Sequence, residues 1–178
     1  PTAISTANAS ASTVRSAWRL GDLMARWSKV GDLVEISTAN GLAYALVTHQ
    51  HLQWGTLLRV LEGQHKTRPA NISTLATDKV QFSTFFPLNA AIARKLVSIV
   101  GNVDLPKHLK PFPIFRNGVA EPATKKVQNW WLWDGKREWP VGQITPEQHK
   151  MPIRQIVNDT MLRSLIERKW TEGDSSAF

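Results

Sequence analysis

Asn40-Gly41 stands between two β-prone runs, Leu33-Val34-Glu35-Ile36 and Leu42 to Thr48. Both residues tolerate positive φ, so such a dipeptide between such runs folds them into an antiparallel hairpin. This feature excludes an all-helical chain and puts antiparallel pairing at its centre. Thr56 to Leu61 reads as a third strand, and Val80 to Phe86 alternates as a fourth. Residues 63 to 78, which contain Pro69, read as a long loop. Asn89 to Lys95 is expected to make one or two helical turns before the apolar strand Leu96 to Val100. Pro106, Pro111 and Pro113 make Leu105 to Phe115 an extended surface segment, because proline cannot donate to a ladder. Residues 116 to 127 read as a basic loop. Asp134-Gly135-Lys136 turns a second hairpin, Val127 to Trp133 with Glu138 to Ile144.

Helical spacing brackets these strands. Val14, Trp18, Leu23, Met24 and Trp27 mark an amphipathic helix over about 14–28, expected to dock on the core rather than lie on a membrane. Thr145-Pro146-Glu147-Gln148 has the form of a capped helix start. Ile153, Ile156, Val157, Met161, Leu162, Leu165, Ile166 and Trp170 predict a last helix over 153–170. The fold class is α+β: a small twisted antiparallel sheet or partial β-barrel flanked by an N-terminal and a C-terminal helix. A chain of 178 residues fits one core. Residues 1–13, almost all Ala, Ser, Thr and Asn, are expected to be a disordered tail. Residues 14–170 are expected to form one globular domain, and 171–178 a frayed tail.

Composition narrows the chemistry. The chain has no cysteine, which excludes disulfides, thiolate metal sites and cysteine nucleophiles, and fits a cytoplasmic location. No apolar run approaches the ~20 residues of a membrane span. His49 and His51 share one side of an extended segment, but no further His or Cys stands near them, so no metal or cofactor is expected. Neither a Gly-x-Ser-x-Gly elbow nor a phosphate loop is present, and the chain reads as no enzyme. Gly31-Asp32 reads as a strand entry rather than an acid–base pair.

Two features invite a binding role. The net charge is +8, and eight tryptophans are present. Arg94, Lys95, Lys107, Lys110, Arg116, Lys125 and Lys126 face only Asp104 and Glu121 within their stretch. Next come Trp130, Trp131 and Trp133, with Lys136 and Arg137 on the turn. Cations beside aromatic platforms hold single-stranded nucleic acid. Alternation opposes this, since Trp131 with Trp133 and Trp130 with Leu132 occupy opposite faces and one face must be core. Trp18, Trp27, Trp170 and one tryptophan of that group are expected in the core.

Several segments, taken in order, are similar to one family. These are Val30-Gly31-Asp32-Leu33-Val34-Glu35-Ile36, Leu42-Ala43-Tyr44-Ala45-Leu46-Val47, Phe86-Pro87-Leu88, Ile99-Val100-Gly101, Pro111-Phe112-Pro113-Ile114-Phe115, Trp131-x-x-Asp134-Gly135 and the closing helix to Trp170. Over about residues 30–170 the chain resembles the immunity protein twenty-six family, found beside bacterial polymorphic toxins. The likeness lies in scaffold positions. It implies a cytoplasmic protein that binds and blocks a cognate toxin without catalysis. A +8 chain repels a strongly basic partner, so the toxin is expected to present an acidic or neutral patch. The expected contact residues are Lys125, Lys126, Trp131, Trp133, Lys136 and Arg137. The alternative is a basic module that binds single-stranded DNA or RNA.

Overall fold

Period-two alternation in the first half of the chain builds a five-stranded antiparallel sheet. The computed structural model describes residues 27–124 and 126–174. The strands are β1 (Asp32–Thr38), β2 (Gly41–His51), β3 (Gly55–Leu61), β4 (Val80–Phe86) and β5 (Val97–Asn102), in the order β4-β3-β2-β1-β5. A second sheet, β6 (Phe115–Ala120), β7 (Val127–Trp133) and β8 (Glu138–Gly142), is also antiparallel. The chain is therefore α+β with two open sheets, and the partial barrel is corrected to a pair of sheets joined at their edges. The expected N-terminal tail and all of the 14–28 helix but residues 27 and 28 lie outside the described residues. Trp27, expected in the core, is 79% exposed.

The first hairpin turns where expected, by a different device. Thr38 pairs with Gly41, so the loop residues are Ala39 and Asn40. Among the described residues only Lys95 and Lys169 are non-glycines at positive φ, so Asn40 does not use that freedom. Gly41 does, at φ +133°, and a Cβ there would lie 2.5 Å from the His65 carbonyl oxygen. At the entry to β1, Gly31 sits at φ +89°, where a Cβ would run into the Val103 carbonyl. Asp32 beside it is fully buried; its carboxylate accepts from the Lys29 amide and from Asn102 Nδ2, each at 2.9 Å. The Gly-Asp pair is thus scaffold.

Alternation divides the core. Val34, Ile36, Ala43, Ala45, Val47, Leu58, Val60, Phe82 and Phe86 face α1 (Leu88–Ala93) and α2 (Asp159–Glu167). Leu33, Tyr44, Leu46 and Leu61 face a 3-10 helix, Ile72–Thr77, inside what the sequence presents as a long loop. Leu57 and Phe85 meet Phe115 and Trp133 of the second sheet, with the Phe85 and Phe115 rings 5.1 Å apart.

The last helix is the largest correction. Residues 153–157 are not helical. The Pro152 carbonyl accepts from the Arg116 amide at 2.8 Å, and the Arg154 amide donates to the Arg116 carbonyl at 2.9 Å. Gln155 and Val157 bond Phe85 in the same way, at 3.2 and 3.0 Å. This strap runs parallel to both β4 and β6 and joins the two sheets. The helix begins only after Asn158, whose side chain caps it by accepting from the Met161 amide at 2.8 Å. Of the basic loop expected over residues 116–127, residues 116–120 are instead part of β6. The box at Thr145 does form, with Thr145 and Gln148 bonding each other reciprocally, but it opens only a 3-10 turn, Gln148–Lys150. Residues 171–174, expected to fray, make another short 3-10 turn in which the Glu172 carboxylate accepts from the Ser83 amide at 2.7 Å.

Both described α-helices end in Schellman motifs. Leu96 donates to Ala91 and Trp170 to Leu165, each at 2.9 Å. Their turning residues are Lys95 at φ 57° and Lys169 at φ 54°, where glycine is unstrained. Lys169→Gly is therefore expected to raise stability by about 0.5–1 kcal/mol. Gly31→Ala should lower it by about 2 kcal/mol or more, because it combines a clash with a disfavoured φ. Urea unfolding midpoints of the two variants check both signs.

Candidate functional site

The second sheet has unlike ends. Phe115 and Trp133 are cross-strand partners on the face packed against Leu57 and Phe85. The same face continues through the row Asn117, Trp131, Pro140. Here cover gives out: Trp133 is 6% exposed, Trp131 41% and Val119 86%. Trp131 and Val119 open onto a cleft of about 600 Å³ lined also by Glu121, Gln128, Glu138 and Arg154.

Arg154 forms the cleft's inner wall. Held by the strap, its guanidinium lies 5.2 Å from the Trp54 ring centre and 5.3 Å from that of Trp133. Its Nη2 bonds Glu138 Oε1 at 2.6 Å. Glu121 accepts from Thr124 Oγ1 and Gln128 Nε2, both at 2.9 Å. The wall thus combines a half-exposed indole, a β-branched side chain, amides, and two carboxylates against one guanidinium. Among the described residues that line the cleft, none is cysteine, serine or histidine.

The expected contact residues are not brought together. Trp131 is in the cleft, whereas Trp133 is buried beneath its inner end. Lys125 lies outside the described residues. Lys126 is exposed before β7, while Lys136 and Arg137 follow its other end, so seven extended residues, about 20 Å, separate them. Lys136 and Arg137 donate backbone N–H groups to Asp134 Oδ1, at 2.9 and 2.7 Å. Those bonds hold the Asp134 carboxyl below its usual range, that from Arg137 contributing most. Arg116 is fully buried, donating to the Met151 and Glu172 carbonyls at 3.0 Å each and lying 5.0 Å from the Trp130 ring centre. Sequence reasoning missed Val119, Glu138 and Arg154; Arg154 was concealed by the helical spacing around it.

His49 and His51 share a side, and each ring contacts Phe112. Their nitrogens are engaged by protein groups. His49 Nε2 donates to the Lys110 carbonyl at 3.0 Å, and its Nδ1 faces Thr48 Oγ1 at 3.1 Å. His51 Nδ1 accepts from the Gln53 and Trp54 amides at 3.3 and 3.2 Å, and Nε2 donates to the Gly135 carbonyl at 3.2 Å. Among the described residues no three His, Asp or Glu side chains group in a way that would hold a metal ion. No described helix is long and apolar enough to cross a membrane.

No protein-family model matches the chain, no curated protein matches it and no solved structure matches it. The functional reading therefore rests on the chain's own residues.

Burial pushes the His49 imidazole below its ordinary value of about 6.5. The unfolded chain then takes up this proton first as pH falls. Stability contributed at His49 is complete above pH ~6.5 and declines below it until the native pKa is passed. Chemical denaturation at several pH values from 7.5 to 5 should show that decline. His49→Gln, which keeps a donor for the Lys110 carbonyl, should flatten it.

Proposed function

We propose that this chain is a toxin-neutralising immunity protein of the bacterial polymorphic-toxin type, which binds a cognate toxin in the cytoplasm and blocks it without catalysis. The observation that carries this reading is the open end of the second sheet, where Trp131 and Val119 stand uncovered over a cleft of about 600 Å³. A rigid indole on a strand contributes large contact area at low entropic cost, and tryptophan is enriched among residues that dominate binding energy. The resemblance of the ordered segments between about residues 30 and 170 to the immunity protein twenty-six family is in keeping with this reading. The partner supplies an apolar side chain to Trp131 and Val119 and a contact patch of acidic or neutral character, because a chain of net charge +8 disfavours a strongly basic one.

The test begins with a toxin domain encoded beside this gene, co-expressed with the chain and titrated calorimetrically. Trp131→Ala is expected to weaken binding at least tenfold and leave the melting temperature within about 1 °C. Trp133→Ala, by contrast, should cost about 3 kcal/mol of stability. Unchanged affinity in Trp131→Ala would remove the cleft from the interface. The competing nucleic-acid reading is tested by titrating single-stranded oligonucleotides at 50 and 200 mM salt. Binding that falls steeply with salt, together with no toxin binding, would replace the immunity reading.

A further inference from the structure

The first hairpin turn, the chain leaving β3, the start of β4 and the end of α2 meet around a second cleft, of about 650 Å³, which shares no residue with the cleft of the second sheet. Hydrogen bonds tie its walls to one another. The Ala39 amide donates to Glu167 Oε1 at 2.7 Å, Thr38 Oγ1 to Gln64 Oε1 at 3.0 Å, and Gln64 Nε2 to the Ile166 carbonyl at 3.2 Å. Gln81, only 7% exposed, donates from Nε2 to the Leu165 and Trp170 carbonyls at 3.4 and 3.0 Å. The volume is that of a small-molecule site, yet apart from Gly63 every residue that lines it has a polar side chain.

What these bonds leave over describes a ligand. Gln81 Oε1 has no hydrogen-bond partner among the described residues, and a carbonyl oxygen can only accept. A buried acceptor that the protein does not serve calls for a donor from elsewhere. Glu62 bonds Lys79 through Oε1 at 2.8 Å, which leaves Oε2, another acceptor. Thr171 Oγ1 gives its hydrogen to Asp174 Oδ2 at 2.9 Å and keeps its lone pairs. Opposed to these acceptors are the exposed Asn40 amide and Lys169 Nζ, which only donates and forms no ion pair among the described residues. Lys169 sits at φ 54°, where glycine would be unstrained, so its ammonium is kept at the cleft against a conformational cost.

We infer that this cleft binds a free α-amino acid. The ligand's ammonium donates its three hydrogens to Gln81 Oε1, Glu62 Oε2 and Thr171 Oγ1. Its carboxylate accepts from Lys169 Nζ and the Asn40 amide. An amine without a carboxylate would bring a second cation beside Lys169, and a carboxylate without an amine would leave Gln81 Oε1 unserved. A neutral polyol would leave the Lys169 ammonium without a counter-charge. The zwitterion meets both requirements, and the volume leaves room for its side chain.

Isothermal titration calorimetry on the full chain, with each of the twenty common L-amino acids as probe, tests the inference. At least one is expected to bind with a Kd between about 10 μM and 1 mM. The matching amine without the carboxylate, and the matching acid without the amine, should each bind at least tenfold more weakly. Lys169→Gly should lower the affinity at least tenfold while raising the urea midpoint of the ligand-free chain, a combination that a purely structural lysine would not give. Glu62→Gln, at an exposed position, should weaken binding severalfold with an unchanged melting temperature. Absence of binding by all twenty at concentrations up to about 10 mM overturns the inference. So does an amino acid whose affinity ignores Lys169→Gly or Glu62→Gln, or an amine or acid that binds as tightly as the zwitterion. Toxin binding is read at the other cleft through Trp131→Ala, so the two readings fail separately.

Discussion

The two sheets hold together through one extended strap, Pro152 to Val157, which hydrogen-bonds β6 on one side and β4 on the other. Neither sheet contributes a strand to its neighbour, so without the strap both inner edges would present unpaired backbone groups at the centre of the molecule. Its four backbone bonds fall into two successive pairs: residues 152 and 154 serve Arg116, and residues 155 and 157 serve Phe85. That spacing sets Phe115 against Phe85 and brings Trp133 into contact with both. It also fixes Arg154 where its guanidinium faces two indoles and bonds Glu138. The cleft therefore exists because the strap is extended. A helix from residue 153, as the spacing of apolar residues suggests, would have placed these side chains elsewhere.

A second constraint lies at the same junction. Arg59, Arg116 and Glu172 place two cations and one anion at the shielded centre, and burial pushes the arginines down and the Glu172 carboxyl up. Hydrogen bonds offset that desolvation: Arg59 to Ser83 Oγ at 2.7 Å, Arg116 to two carbonyls, and Glu172 to the Ser83 amide. Such clusters add little net stability compared with apolar packing, but they are geometrically demanding. Here the Glu172 carboxylate occupies the position of a strand partner on β4, and its backbone carbonyl receives Arg116 of β6. The segment after α2 is thereby tied to both sheets, although its polar composition suggests fraying.

Local signals were legible where local chemistry decides the structure. The strands of both hairpins, the strand entry at Gly31-Asp32 and the apolar faces of β2 and β4 follow from alternation and from turn residues. What was not legible depended on contacts distant in sequence. Ile153, Ile156 and Val157 satisfy helical spacing, yet they are β-branched, follow Pro152 and precede a capping Asn158. Those cues locate the helix start correctly once the edges of β4 and β6 are known to need partners. Arg116 carried a charge that suggested a surface loop, and only its carbonyl partners and the Trp130 ring explain its burial. The basic residues near the tryptophans are neighbours in sequence but lie at opposite ends of β7, because a strand separates what a loop would gather.

This separation divides charge from grip. Lys126, Lys136 and Arg137 lie outside the cleft, while inside it Arg154 is matched by Glu138, and Glu121 is held by neutral donors. A dispersed field acts over about a Debye length and biases which partners approach, with a strength that salt reduces. Under the proposed function the cleft acts on contact, through the indole of Trp131 and the exposed Val119. The cations that stand beside the tryptophans in sequence, Lys126 on one side and Lys136 with Arg137 on the other, therefore flank opposite ends of β7 instead of gathering around Trp131. A phosphate backbone needs both at one place. A protein surface that is met through its shape and apolar side chains does not.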